Sequence, residues 1–252
     1  MSLYGKVALV TGAGRGIGRA VALALAEQGA RVALVARSEA ELSESAKLIE
    51  ERGGSALAVT TDLGDPTSAP GIVERTAAQL GPVDVLVNNA ATVEPLGRST
   101  DMSPDAWGAS FRLNVITPAA LSSAVLPHMT GAGWGRIVNV SSGIVARPQT
   151  MIGGSAYAAT KAALEAHTLN LAAELDGTGV TANVYRPGSV DTAMQELIRQ
   201  EGGGRLDEAT HTRFLRTHQE GKLISTDDSA RSLVDRLAGD ATGAIWDVSD
   251  PH

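Results

Sequence analysis

The chain has 252 residues, of which 43% are hydrophobic, 19% charged and only 3% aromatic, the balance of a soluble globular protein with an aliphatic core. A formal net charge of −7 argues against broad binding to nucleic-acid phosphates, and with no cysteine there is no disulfide framework, thiolate metal site or cysteine nucleophile. The first residues lack the basic flank and long apolar stretch of a signal peptide, and no apolar run approaches the ~20 residues of a membrane span, so the reading is a cytoplasmic protein.

In chain order, KVALV (6–10), RVALVA (31–36), SALAVT (55–60), VDVLVN (83–88), GRIVNV (135–140) and VTANVY (180–185) read as buried strands, with AIWDV (244–248) a weaker seventh. Amphipathic segments near 16–29, 38–52, 66–80, 104–130 and 155–176 read as helices, with two weaker ones between 189 and 238. Ser103 followed by Pro104 is a good helix start, a capping hydroxyl before a proline in the first turn. Strands apolar throughout and separated by helices predict an α/β protein, a doubly wound parallel sheet of about seven strands with helices on both faces. No linker or repeat divides the chain, so residues 1–252 are expected to form a single domain. The polar stretch 189–225, with EGGGR at 201–205, has the length of a substrate loop or lid.

The first strand runs into TGAGRGIG (11–18), whose Gly12, Gly16 and Gly18 allow a tight turn and close backbone approach. A helix starting near Gly16 would aim free N–H groups at the loop, an anion site suited to a dinucleotide pyrophosphate. Three residues separate the first two of these glycines, unlike the common GxGxxG. The second strand ends ALVARS, with no acid before Glu39 to hold a ribose 2′-hydroxyl. Arg37 there and Arg15 in the loop could instead take a 2′-phosphate, which favours NADP(H) while leaving NAD(H) open.

SAYAATK (155–161) places Tyr157 four residues before Lys161, on one helix face. A phenol titrates near pH ~10, and an ammonium beside it in a covered cleft could lower that value toward neutrality. Alone, this pair is better explained by an ordinary surface helix.

Taken together, TGAGRGIG (11–18), DL (62–63), NNAA (88–91), RLNV (112–115), NVSS (139–142), YAATK (157–161) and RPGSVDT (186–192) resemble the short-chain dehydrogenase/reductase family, over residues 5 to 248. The resemblance implies a Rossmann-like fold and an NAD(P)-dependent oxidoreductase acting on a carbonyl or secondary alcohol, of ketone or 3-oxoacyl type. It implies Tyr157 as acid/base, Lys161 as the residue that lowers its pKa and holds the nicotinamide ribose, and Ser142, rather than its neighbour Ser141, as the substrate-oxygen donor. Asn114 would kink its helix and anchor a proton-relaying water. Gly12, Arg15, Gly16, Ile17, Gly18, Arg37, Asp62, Leu63, Asn89, Ala90, Tyr157, Lys161, Pro187, Gly188, Val190 and Thr192 would line the cofactor site. Asp62 would meet the adenine amino group. Asn88 and Asn89 divide between tying strands together and touching cofactor. No metal is implied, because no histidine pair has ligand spacing. Partners would be a small-molecule substrate and further copies of the chain, as a homodimer or homotetramer through helices 104–130 and 155–176, with neither nucleic acid nor membrane.

Three departures stand out: NNAA in place of NNAG, a longer stretch between Ser142 and Tyr157, and a C-terminus, TGAIWDVSDPH, without the tail used in many tetramers. Two rival readings are a cofactor-binding regulatory protein without turnover, and an epimerase or dehydratase on the same fold.

Overall fold

Each of the seven apolar runs forms a strand in the computed structural model, which describes residues 3–250. They are β1 (Val7–Thr11), β2 (Arg31–Ala36), β3 (Ser55–Thr60), β4 (Val85–Asn88), β5 (Gly135–Val140), β6 (Val180–Arg186) and β7 (Ile245–Asp247). All pair in parallel, in the order β3-β2-β1-β4-β5-β6-β7. The chain reverses direction across the sheet between β3 and β4, which leaves a crevice beyond the carboxyl ends of β1 and β4.

Successive strand side chains point to opposite faces, so an apolar run needs cover on both. Ala8 and Val10 of β1 pack with α1 (Gly16–Glu27), α2 (Glu39–Glu50) and α9 (Thr226–Arg236), through Leu25, Leu42 and Leu233. Val7 and Leu9 face α3 (Ala69–Leu80), α5 (Thr117–Ala132) and α6 (Ser155–Glu174), through Ile72, Val125 and Leu171. Burying each of these leucines removes apolar surface worth roughly 2–3 kcal/mol.

The run expected as one helix over 104–130 is three pieces. These are α4 (Pro104–Phe111), a π-helical turn (Arg112–Ile116) and α5, with Ser103 Oγ accepting from Ala106 N at the start. Over Pro104–Ala132 this run is long and apolar enough to cross a membrane by length and composition, a correction to the sequence reading. Its Leu121, Val125 and Met129 are buried against the sheet.

The stretch 189–225 differs from a bare loop. It holds α7 (Ala193–Glu201) and α8 (Glu208–Gln219), so three helices rather than two lie between 189 and 238. Ile198 and Leu206 bury themselves with Val93, Met151 and Tyr157, and the partly buried Phe214 packs on that cluster, forming a roof over the carboxyl ends of the strands. Polar composition hid one of the three because α7 and α8 each bury only a narrow stripe.

Candidate active site

Under that roof lies a cavity of about 1660 Å³, bordered at one end by the glycine loop and at the other by α6, α7 and α8. The loop end is made of backbone. Gly12 has φ +67°, a left-handed conformation, and a Cβ there would lie 2.8 Å from Asn89 Nδ2. Gly16 and Ile17 line the cavity at the start of α1; Gly18 does not line it. A Cβ on Gly18 would collide with the Gly12 carbonyl, so that glycine lets helix and loop pack together. Thr11, which the sequence reading passed over, ties the loop to β4: its Oγ1 accepts from Asn89 N at 2.9 Å and Ala90 N at 3.0 Å. Asn89 lines the cavity while its Nδ2 donates to Thr11 O at 3.0 Å. Asn88 points inward and donates to Asn139 Oδ1 at 2.8 Å, tying β4 to β5.

Arg15 and Arg37 both border the cavity beside Ala36. Arg37 is exposed and forms no ion pair among the described residues. Arg15 Nη1 lies 3.4 Å from Glu41 Oε1, a second residue the sequence reading missed. Asp62 is exposed on the cavity wall with Oδ1 accepting from Gly64 N at 2.9 Å, and Leu63 and Ala90 line the wall nearby. On the opposite wall, Pro187, Gly188, Val190 and Thr192 follow β6. Gly188 has φ +76°, and a Cβ would meet Ile224 at 2.7 Å and Val248 at 2.8 Å. Thr192 Oγ1 caps α7 by accepting from Gln195 N.

At the α6 end, Tyr157, Lys161 and Ser142 all line the cavity. Burial pushes the Tyr157 phenol up, and a hydrogen bond with Ser142 pulls it back in part. Burial brings the Lys161 ammonium down to about 8, with the Glu165 charge opposing. The expected lowering of Tyr157 by Lys161 is therefore not what this geometry gives. Lys161 Nζ lies 6.0 Å from the centre of the Tyr157 ring and donates to Val140 O at 2.7 Å. The neighbouring Ser141 turns away, donating to Glu165 Oε1 at 2.7 Å, so of the two serines it is Ser142 that bonds Tyr157.

Asn114 sits in the π-helical turn, fully buried behind the wall. Its Oδ1 accepts from Thr92 N at 2.9 Å, and its Nδ2 donates to Thr92 O at 2.8 Å and Thr160 Oγ1 at 3.0 Å. It thereby joins the loop after β4 to the helix turn between Tyr157 and Lys161. Among the described residues no group of three or more metal-binding side chains converges.

A model of the short chain dehydrogenase family matches residues 6–202. The chain belongs to the short-chain dehydrogenase/reductase family. Over 251 residues it is 34% identical to a 3-oxoacyl-[acyl-carrier-protein] reductase of Pseudomonas aeruginosa, covering 100% of this chain and 97% of that one. It is 41% identical over 194 residues to a short chain dehydrogenase of Pseudocercospora fijiensis, covering 76% of this chain but 62% of that longer protein. Among solved structures, a short chain dehydrogenase from Burkholderia cenocepacia in complex with NADP is similar with a TM-score of 0.83, 32% identity and coverage of 98% and 97%. An NAD+-bound xylitol dehydrogenase gives 0.88, 25% identity and coverage of 98% of each chain. This short-chain dehydrogenase is an NAD(P)-dependent oxidoreductase of the class that interconverts carbonyls and alcohols.

Proposed function

We propose that the chain is an NADP(H)-preferring carbonyl reductase or secondary-alcohol dehydrogenase for ketones or 3-oxoacyl compounds. One domain holds both binding sites, and the enzyme works as a cytoplasmic homo-oligomer. The observation that carries this reading is the convergence of Ser142, Tyr157 and Lys161 on a cavity whose far end is the glycine loop. The loop fits a dinucleotide on its own geometry, because Gly12, Gly16 and Ile17 line the cavity at the start of α1, whose N-terminus has no side-chain cap. The bound dinucleotide would supply or accept the hydride.

In the reductive direction, Ser142 and Tyr157 donate hydrogen bonds to the carbonyl oxygen, which gains negative charge as hydride arrives. Tyr157 then gives up its proton to that oxygen. A phenol held up by burial is fully protonated at neutral pH and ready for this step. Lys161, at about 8, is largely charged at neutral pH, so it can hold the ribose hydroxyls and stabilise the phenolate that remains. Asn114 fixes the turn carrying both residues and would anchor the water that returns a proton through Lys161.

At the other end, the ion pair of Arg15 with Glu41 is half-exposed, and such pairs hold with about 0–1 kcal/mol, so Arg15 is free to turn to a 2′-phosphate alongside Arg37. NADP in the Burkholderia relative is consistent with that choice. Ile116, at the end of the π-helical turn before α5, and Leu169 of α6 are exposed, which supports a contact with a second copy there.

The test is a panel of ketones, 3-oxoacyl thioesters, sugars and steroids, followed by oxidation of NADPH and NADH. Turnover of at least one carbonyl, lost in Ser142→Ala, is expected. Dinucleotide binding with no turnover of any carbonyl would overturn the enzymatic reading in favour of a regulatory one.

A further inference from the structure

Three consecutive residues at the end of β5 each engage a different residue of one α6 face. The Val140 carbonyl accepts from Lys161 Nζ at 2.7 Å, Ser141 Oγ donates to Glu165 Oε1 at 2.7 Å, and Ser142 bonds Tyr157. Tyr157, Lys161 and Glu165 are spaced by four and so share that face. Glu165 has no part in the mechanism above. Its carboxylate is 5% exposed and is gripped in a fork by Arg186 at the end of β6, with Nε to Oε1 at 2.9 Å and Nη2 to Oε2 at 2.7 Å.

Buried ion pairs are a weak source of stability, since taking both charges out of water costs about what their attraction returns. Stability alone therefore does not explain a pair set one helical turn beyond Lys161. We propose that Glu165 and Arg186 form a positioning pair that sets how tightly Lys161 keeps its proton, while Ser141 locks the β5 end so that Ser142 faces Tyr157. The inference rests on the proposed role of Lys161 in the mechanism.

The charged surroundings of Lys161 are few. On α6 they are Tyr157 and Glu165; β6 brings Arg186, with Asp247 of β7 acting on that arginine in turn. β5 presents only the Val140 carbonyl and the serine hydroxyls, and the turn at 112–116 presents the uncharged Asn114 through Thr160. Glu165 favours the charged lysine, and a guanidinium bonded to both oxygens of Glu165 would offset part of that field. Removing one member of the pair must move Lys161 in the direction opposite to removing the other.

The chain has four lysines, Lys6, Lys47, Lys161 and Lys222, so the side-chain carbons next to the amines can be followed individually by NMR in protein grown on labelled lysine. Lys161 is identified by its loss in Lys161→Met. It is expected to titrate at about 8 in the parent. In Glu165→Gln it should titrate about one pH unit lower, in Arg186→Gln about one pH unit higher, and in the double variant between them. If Glu165→Gln fails to fold, the upward move in Arg186→Gln and its reversal in the double variant decide the matter. Unmoved titration, or movement in the same direction in both single variants, would overturn the proposal and leave the pair a purely structural tie. The alkaline limb of kcat/KM for NADPH and a carbonyl from the panel should follow the same order. A parent with no turnover would refute the proposed function, and the lysine titration would still judge the pair.

Discussion

The glycine loop and the Tyr157 face of α6 close opposite ends of one cavity and are made of opposite materials. The loop presents main chain: Gly12 and Gly18 carry no side chain, and Thr11 Oγ1 anchors it by accepting from the backbone N–H groups of Asn89 and Ala90, just after β4. The α6 face presents side chains, nearly all buried, whose usefulness depends on charge: a phenol held up, an amine brought down, and a carboxylate paired with a guanidinium. The first region should fail when volume is added. The second should fail when a proton or a charge is removed at constant volume.

The largest effect is expected on the second. Tyr157→Phe deletes one oxygen from a buried ring and should leave dinucleotide binding intact while turnover falls at least about a hundredfold, the scale of losing a general acid. Near-normal turnover in this variant would take Tyr157 out of the chemistry and erase the contrast.

Next comes the choice of dinucleotide. Each charge-assisted contact to a 2′-phosphate is worth about 1.5–3 kcal/mol, so wild type should favour NADPH over NADH by roughly ten- to a hundredfold in kcat/KM. Ala36→Asp with Arg37→Ala should reverse that preference, because a carboxylate attracts a hydroxyl and repels a dianion. The comparison belongs at fixed ionic strength, since salt screens exposed charges. A wild type that already prefers NADH would mean that Arg15 and Arg37 are only solvated surface residues.

Adding volume at the loop sharpens the other side of the contrast. Gly18→Val drives a branched side chain into the Gly12 carbonyl and should weaken NADPH binding about tenfold in a fluorescence titration, in line with overpacking costs of about 1–3 kcal/mol. Gly71→Ala is the control. Gly71 lies exposed on α3 with nothing within 4 Å of a new Cβ, so the protein should be about 0.5–1 kcal/mol more stable, with unchanged binding.

The last effect is a pH dependence. Lys161 binds its proton less tightly in the folded chain, at about 8, than at its ordinary value of 10.5. Between these values the unfolded chain holds more protons, so the stability due to this group rises with pH; the penalty is fully present below pH 8. Urea unfolding of wild type measured against Lys161→Met should therefore gain about 1 kcal/mol per pH unit between pH 8 and 10 in favour of wild type. Tyr157, shifted upward, enters only above its ordinary value of 10.0, outside that range. A flat difference would show that Lys161 is better solvated than its burial indicates.

Much of this molecule is written in local patterns. Apolar runs of five or six residues separated by helices already imply a parallel sheet covered on both faces, because such strands have no polar side to turn to water. The glycine loop was legible for the same reason: its requirement is the absence of side chains, which a sequence displays directly. Tyr157 and Lys161 were legible as a pair through helical spacing. What only the tertiary structure decided are relations across the chain. The sequence had no means to say that Ser141 and Ser142 face different partners, that Glu41 stands beside Arg15, or that Arg186 of β6 clasps Glu165 of α6. It also put two helices between 189 and 238 where three stand, since the narrow buried stripes of α7 and α8 exist only against Met151 and Tyr157. Burial reversed the expected titration of Tyr157 for the same reason: the desolvation of a phenol is set by everything packed around it, and spacing along one helix carries no information about that.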